Sequence, residues 1–473
     1  MPNKKTVEFE AIHMPSCGLD VHKDMIEACV IDAEGNKQKK TFNTMRKTLY
    51  ALKDWILSFC CFHVLMESTS VYWIPIYEIL EEVTGMDVGV GNARAMKQVP
   101  GRPKTDKEDA DWIARLCMVG FVLKSFIVGR KFRELREYTR YHKKLVQERA
   151  RQINRIEKLL QMNGFKLSSV LSDIAGKSGM KLLKKLRDKG CVTYIDVLAD
   201  VDGRVKKTPE EIEAAINGNM KLTSRLLLGK MLSKLESLDK ETAEIYEMML
   251  EMSAEYRQQI EIIDSIPGLG ELSAIYIIAE IGTDLSSFQT SGHLTAWAGL
   301  APKDKKSADK LKSSKTQKAN MYIKSVLTEC AWAATKTRNT RLSNWYWSSV
   351  KRLGEKKAIT AVARKILVYI YALLKSGKLY DDSLDVADTK KRGVQKLESA
   401  HKILAHQTYS ANKQKQPQNI EQNDSDTTAT PSSVSCSLTA EELSGTADKT
   451  AVHKKRGRPR KITTKSLLDA QFV

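Results

Sequence analysis

Alternating apolar and polar positions dominate the first quarter of the chain. Cys17 to Val21 is a short apolar run, Met25 to Ile31 reads as a second strand, and Glu34-Gly35-Asn36 supplies a turn into a third strand near Thr41. These predict an antiparallel meander of three strands. A helical spacing follows through Leu49, Leu52, Trp55 and Ile56, then the apolar run His63 to Met66, another helix, and a strand from Asp87 to Val90. From Lys131 onward the pattern turns helical and charged. Leu228, Met231, Leu235, Leu238, Thr242, Ile245, Met249, Met252 and Tyr256 alternate three and four residues and form a seam at 3.5-residue periodicity. The seam predicts a coiled coil; a long helix packed in a bundle has the same signature.

Three strands followed by alternating helices and strands point to a mixed sheet of the ribonuclease H kind, an order that many α/β domains share in part. After Ile263 comes Ser265-Ile-Pro-Gly-Leu-Gly270 and then an apolar helix from Leu272 to Ile281. Such a turn presents N–H groups to a phosphate in helix-hairpin-helix modules, or simply joins two helices. Beyond Ala387 the residues are mostly Gln, Asn, Ser, Thr and Lys, too polar to offset the entropy of ordering, which predicts disorder. Within that tail, Lys454 to Lys461 carries Arg456-Gly-Arg458-Pro-Arg460, the pattern of an A-T hook that fits the A·T minor groove, or else a basic tail that binds phosphates without sequence preference.

Charge sharpens the picture. The 473 residues carry a formal net charge of +20 with 42% hydrophobic residues, which predicts a folded protein with a polyanionic partner, nucleic acid foremost. An acidic membrane surface would also attract it, but no apolar run has the length of a span and the start lacks a signal-peptide core, so the expected location is cytoplasmic. The eight cysteines are scattered without zinc-ligand spacing and read as reduced packing thiols.

Candidate chemistry lies at the ends of strands. Asp20 closes the first predicted strand and Glu67 the later one, while Asp106 and Asp109 sit three apart on one face of a helix opening near Thr105. Four carboxylates at one sheet rim repel unless divalent cations neutralise them, which suits a two-metal phosphoryl-transfer site with magnesium. Each also has an ordinary reading as a cap, turn or solvated residue, and Glu108 and Asp111 compete with them on spacing alone.

Cys-Gly-Leu-Asp20-Val-His-Lys, Met-Glu67-Ser-Thr and Lys-Thr-Asp106-Lys-Glu-Asp109-Ala together resemble the acidic Asp-Glu-Asp-Asp domain of the insertion sequence 110 family of transposases. Ser265-Ile-Pro-Gly-Leu-Gly, Trp297-Ala-Gly-Leu-Ala-Pro302 and Ile323-Lys-Ser-Val-Leu resemble that family's C-terminal domain, so the resemblance spans residues 16 to 385. It implies an N-terminal extension (1–15), a RuvC-like ribonuclease H fold carrying the acidic site (16–128), a helical coiled-coil region (129–263), a helical transposase domain (264–386) and a disordered basic tail (387–473). It further implies DNA strand exchange through a serine nucleophile, placed by the match at Ser307, with Ser313 and Ser314 as alternatives because Ala308-Asp309 replaces the family's usual glycine. No histidine flanks Ser307, His293 being the closest upstream, so the carboxylates and their metal would have to assist it. Lys303, Lys305, Lys306, Lys310 and Lys312 around it are candidate phosphate contacts. The family also implies a structured guide RNA as partner beside element-end and target DNA, and a dimer or tetramer assembled through the coiled coil. The competing expectations are a metal-dependent nuclease or resolvase using only the acidic site, and a non-catalytic architectural DNA binder.

Overall fold

The computed structural model describes residues 11–93, 96, 99, 109–302, 305–307, 310–313, 315–316 and 319–382. Asp106, Glu108, Lys303 and Ser314 lie outside the described residues, as do Arg456, Arg458 and Arg460 of the basic tail motif.

Alternation has the expected outcome at the N-terminal end. Strands β1 (Ser16–Val21), β2 (Met25–Ile31) and β3 (Lys37–Asn43) form an antiparallel meander; β4 (His63–Glu67) and β5 (Asp87–Gly91) join parallel, giving the sheet order β3-β2-β1-β4-β5. Every residue of β1 is buried because helices cover both of its faces. On one face, α1 (Arg46–Leu57) and α2 (Trp73–Glu81) insert Leu49, Leu52, Ile56, Ile76, Ile79 and Leu80 against Leu19, Ile26, Val30 and Met66. Each such leucine or isoleucine contributes roughly 1.5–3 kcal/mol relative to exposure. The other face receives α3 (Asp109–Met118), whose Ala110 and Ala114 pack on Cys29 and Ile31, and whose Ile113 and Leu116 pack on Leu65. Lys37, Lys39 and Lys40 on β3 leave the sheet edge charged, which discourages pairing with another chain.

The remainder is helical. Helix α4 (Arg130–Met162) is 33 residues long, about 50 Å at 1.5 Å per residue. Short helices α5 (Leu167–Val170), α6 (Lys177–Lys189), α7 (Tyr194–Asp200) and α8 (Pro209–Ile216) close around its far end, and α9 (Leu222–Ser253) returns alongside it. Lys131 meets Glu255, Tyr141 meets Glu241, Arg149 meets Asp239, and Gln152 donates to the Met231 carbonyl, so α4 and α9 run antiparallel. The 3.5-residue seam of α9 is buried or half-buried along its length. What covers it is α4 of the same chain, the packing that a long helix in a bundle would give.

Helices α10 (Arg257–Asp264), α11 (Glu271–Ile281), α12 (Ser291–Trp297), α13 (Met321–Lys336), α14 (Arg341–Leu353) and α15 (Glu355–Ser376) build a second large core with the near ends of α4 and α9. Helix α11 is apolar almost all round and lies at its centre. The Pro-Gly-Leu-Gly turn joins α10 to α11. Gly268 adopts φ +88°, and a Cβ there would lie 2.3 Å from the Ala334 nitrogen, so the turn is shaped by close packing on α13. Among the described residues, no helix is long and apolar enough to cross a membrane.

Candidate active site

Sheet register brings two of the acidic residues together. Leu19 on β1 lies beside Met66 on the parallel strand β4, so Asp20 and Glu67 follow as neighbours at the same end of both strands. Side chains alternate along each strand. Cys17, Leu19, Val21, Val64 and Met66 enter the α1/α2 core, which leaves Gly18, Asp20, Leu65 and Glu67 on the α3 side. Both carboxylates are buried.

Gly18 determines how near α3 comes. A Cβ there would sit 2.2 Å from the Ala114 nitrogen and 2.3 Å from the Ala110 oxygen, and the Ser16 hydroxyl donates to the Ala114 carbonyl at 3.2 Å. The helix therefore lies flush on β1, and its first residue, Asp109, acts electrostatically on Asp20. Burial raises the Asp20 carboxyl above the ordinary carboxylate value; the His22 ring, 3.0 Å from Oδ2, opposes this, and the charges of Glu67 and Asp109 add to it. Asp111, one of the competing residues, has a structural role: it accepts from Lys37 at 3.0 Å and pairs with Arg115, tying α3 to β3.

Spacing alone did not single out two neighbours of this cluster. His22 bonds Asp20 directly, and Glu27 stands opposite Asp20 in the β1–β2 ladder. The period of two in β2 carries the signal for Glu27, since it shares a face with Cys29 and Ile31. An all-oxygen donor set whose members repel one another suits a hard divalent cation. Among the described residues no three His, Cys, Asp or Glu side chains close into a compact metal-binding group, and Asp106, the fourth candidate, lies outside them.

The loop bearing the candidate serine is a two-stranded hairpin, β6 (Lys305–Ser307) and β7 (Lys310–Ser313), with a bridge between Pro302 and Thr316 at its base. Ser307 ends β6 and pairs with Lys310, at the hairpin's distal end; Ser313 pairs with Lys305 nearer the base. Lys305, Lys306, Lys310 and Lys312 all lie on these two strands.

Just beyond the hairpin, Asn320 caps α13 by accepting from the Tyr322 and Ile323 amides, while its own amide donates to Glu280 at 2.6 Å. Glu280, buried within α11, also accepts from Arg140 at 2.9 and 3.1 Å and pairs with Arg136 at 3.3 Å. Burial lowers the Arg136 pKa, with Glu280 opposing. The hairpin's exit is thus fixed to α4, the helix that also reaches the α/β part through Arg130–Glu82 and Arg133–Glu81. Residues separated by 140 positions leave no local pattern, so this anchor was invisible in the sequence.

The comparisons with known proteins follow the same two parts. Residues 17–163 match a family profile described as a transposase, and residues 260–347 match one described as the transposase IS116/IS110/IS902 family. The chain is 23% identical over 373 residues to the transposase for insertion sequence element IS1111A of Coxiella burnetii, covering 77% of this chain and 90% of that protein. It is 23% identical over 315 residues to the insertion element IS110 uncharacterized 43.6 kDa protein of Streptomyces coelicolor, covering 63% and 76%. Over 140 residues, 28% of this chain and 42% of the relative, it is 27% identical to the pilin gene-inverting protein of Moraxella bovis. With an acidic α/β part and a helical part matched in that order, the chain belongs to the IS110 family of transposases.

Proposed function

We propose that this transposase exchanges DNA strands through a covalent serine-phosphate intermediate, with Ser307 as nucleophile and Asp20, Glu67, Asp106 and Asp109 as the holders of magnesium. The observation that carries the reading is the gathering of Asp20, Glu67 and Asp109 on one side of a mixed sheet, in a chain whose second matched part contains the serine hairpin. The meander followed by two parallel strands supports a RuvC-like fold for residues 16–128. The helical region (129–263), the transposase domain (264–386) and the tail (387–473) complete the proposed division.

In this mechanism the Ser307 oxygen forms a bond to phosphorus as the bond to one deoxyribose oxygen breaks, and the serine proton ends on the leaving hydroxyl. The phosphodiester is conserved as a serine ester, so an incoming DNA hydroxyl can attack it, regenerate the serine and join the strand elsewhere. Magnesium, when bound, would supply Lewis-acid stabilisation of charge on the phosphate. The buried Asp20 is oriented by His22, and the hairpin lysines hold the backbone on either side of the attacked phosphate. A structured RNA that pairs with donor and target DNA would choose the sequences, leaving the protein to grip backbones. Strand exchange needs several active sites at once, so a homodimer or tetramer acting on nucleoid DNA in the cytoplasm completes the proposal. Because α4 covers the α9 seam within one chain, assembly would use other surfaces.

Incubating purified protein with magnesium, element-end RNA and labelled donor and target DNA tests this. Joined donor–target product is expected from the full mixture, with none when magnesium or RNA is omitted. Nicked DNA with free ends, unchanged in Ser307→Ala, would identify a hydrolytic nuclease instead.

A further inference from the structure

Beside the base of the serine hairpin lies a cleft of about 610 Å³, room for a stretch of sugar-phosphate rather than a lone ion. One wall is the outer face of α15, where Lys356, Lys357, Thr360 and Arg364 recur at helical spacing; the opposite wall includes Lys315 and Thr316, where the hairpin returns. The inner face of the same helix, through Ile359, Val362, Ile366 and Ile370, is spent on the core, so the cationic stripe has no packing role. Among the described residues, no carboxylate lines the cleft.

Elsewhere on these helices, surface cations commonly pair with acids, as Lys131 does with Glu255 and Arg257 with Glu271. Among the described residues, the side chains of Lys356, Lys357 and Arg364 have no ionic partner. Three exposed cations lining one cleft, with the Thr316 and Thr360 hydroxyls beside them, match the donors that proteins set against phosphates.

We propose that this cleft is a binding site for the DNA backbone flanking the phosphate attacked at the hairpin, with Lys356, Lys357 and Arg364 as its phosphate contacts. Position favours DNA over RNA. The Pro302–Thr316 bridge at the cleft and the Ser307–Lys310 pair belong to one hairpin, so the strand attacked at Ser307 is the one that passes the cleft. The stripe from Lys356 to Arg364 spans about 12 Å of helix, the rise of about three or four nucleotides. The choice of strand rests on Ser307 being the nucleophile; the binding site itself does not.

The test uses the full chain and a fluorescent duplex carrying the element end, with affinity measured across a potassium chloride series. The triple variant Lys356→Ala, Lys357→Ala, Arg364→Ala is expected to reduce the slope of log affinity against log salt by about 2–3, at 0.7–0.9 per lost contact. The charge-conserving Lys356→Arg, Lys357→Arg, Arg364→Lys is expected to keep the wild-type slope, and all forms to melt at the wild-type temperature because the altered side chains are exposed. An unchanged slope in the alanine variant overturns the proposal. A slope lost on element-end RNA but kept on the DNA duplex overturns the DNA assignment. Ser307→Ala separates the two readings: if it still exchanges strands, the serine assignment fails while the slope result stands.

Discussion

Gly18→Ala is the smallest change that joins the fold to the site. The added methyl group would lie 2.2 Å from the Ala114 nitrogen and 2.3 Å from the Ala110 oxygen, against an ordinary contact of at least 3.4 Å. Both neighbours are backbone of α3, so no side chain can swing aside, and the helix must retreat from β1 by about 1 Å. Overpacking of this kind costs about 1–3 kcal/mol. Alanine's smaller unfolded-state entropy returns about 0.4–1 kcal/mol, leaving a net loss of about 1–2 kcal/mol. Asp109 begins α3 and moves with it, and a displacement of about 1 Å in a positioned group can lower turnover about 100-fold. Urea unfolding followed by circular dichroism gives the stability, and the strand-exchange assay gives the activity. The expected result is a lower midpoint at unchanged m-value with activity falling far more than stability. Stability within about 0.5 kcal/mol of wild type together with full activity would refute the claim that contact at Gly18 sets the site.

Three further outcomes follow from individual contacts. Glu280→Ala leaves the Arg136 and Arg140 guanidinium groups facing a vacated acid and frees Asn320 from α11; a loss of about 3 kcal/mol is expected by urea unfolding, and a loss below about 1 kcal/mol would deny the cluster its role. His142, bonded to the Tyr276 hydroxyl at 2.7 Å, has its pKa lowered from 6.5 by burial. The unfolded chain then binds the proton more readily, so this contribution is complete above about pH 6.5 and falls away as the pH drops toward the folded value; His142→Gln should flatten the acid limb of a stability–pH profile. Magnesium should raise the melting temperature of wild-type protein, and Asp20→Asn with Glu67→Gln should abolish that increment, whereas an equal increment in the double variant would place the cation elsewhere.

The sheet was readable because period-two alternation is a local signal: β1, β2 and β4 end close to where their apolar runs end, and Asp20 and Glu67 stand out as acids closing such runs. That Asp109 reaches them was less visible, since it depends on contact between Gly18 and residues almost a hundred positions away. The seam of α9 was legible as a packing surface but not in its partner, because a 3.5-residue period is the same whether the covering helix belongs to this chain or to another. Asn320, Glu280 and Arg140 were silent, because a lone acid in an apolar helix acquires its meaning only from the arginines that α4 brings to it.

The most direct test of the serine mechanism is to trap the reaction of labelled donor DNA with magnesium and element-end RNA, and to map by peptide mass spectrometry any residue joined to DNA. A serine mechanism assisted by the acidic site gives an adduct on Ser307 that disappears in Ser307→Ala and also in Asp20→Asn. DNA cleavage without any protein adduct, proceeding equally in Ser307→Ala, would contradict it.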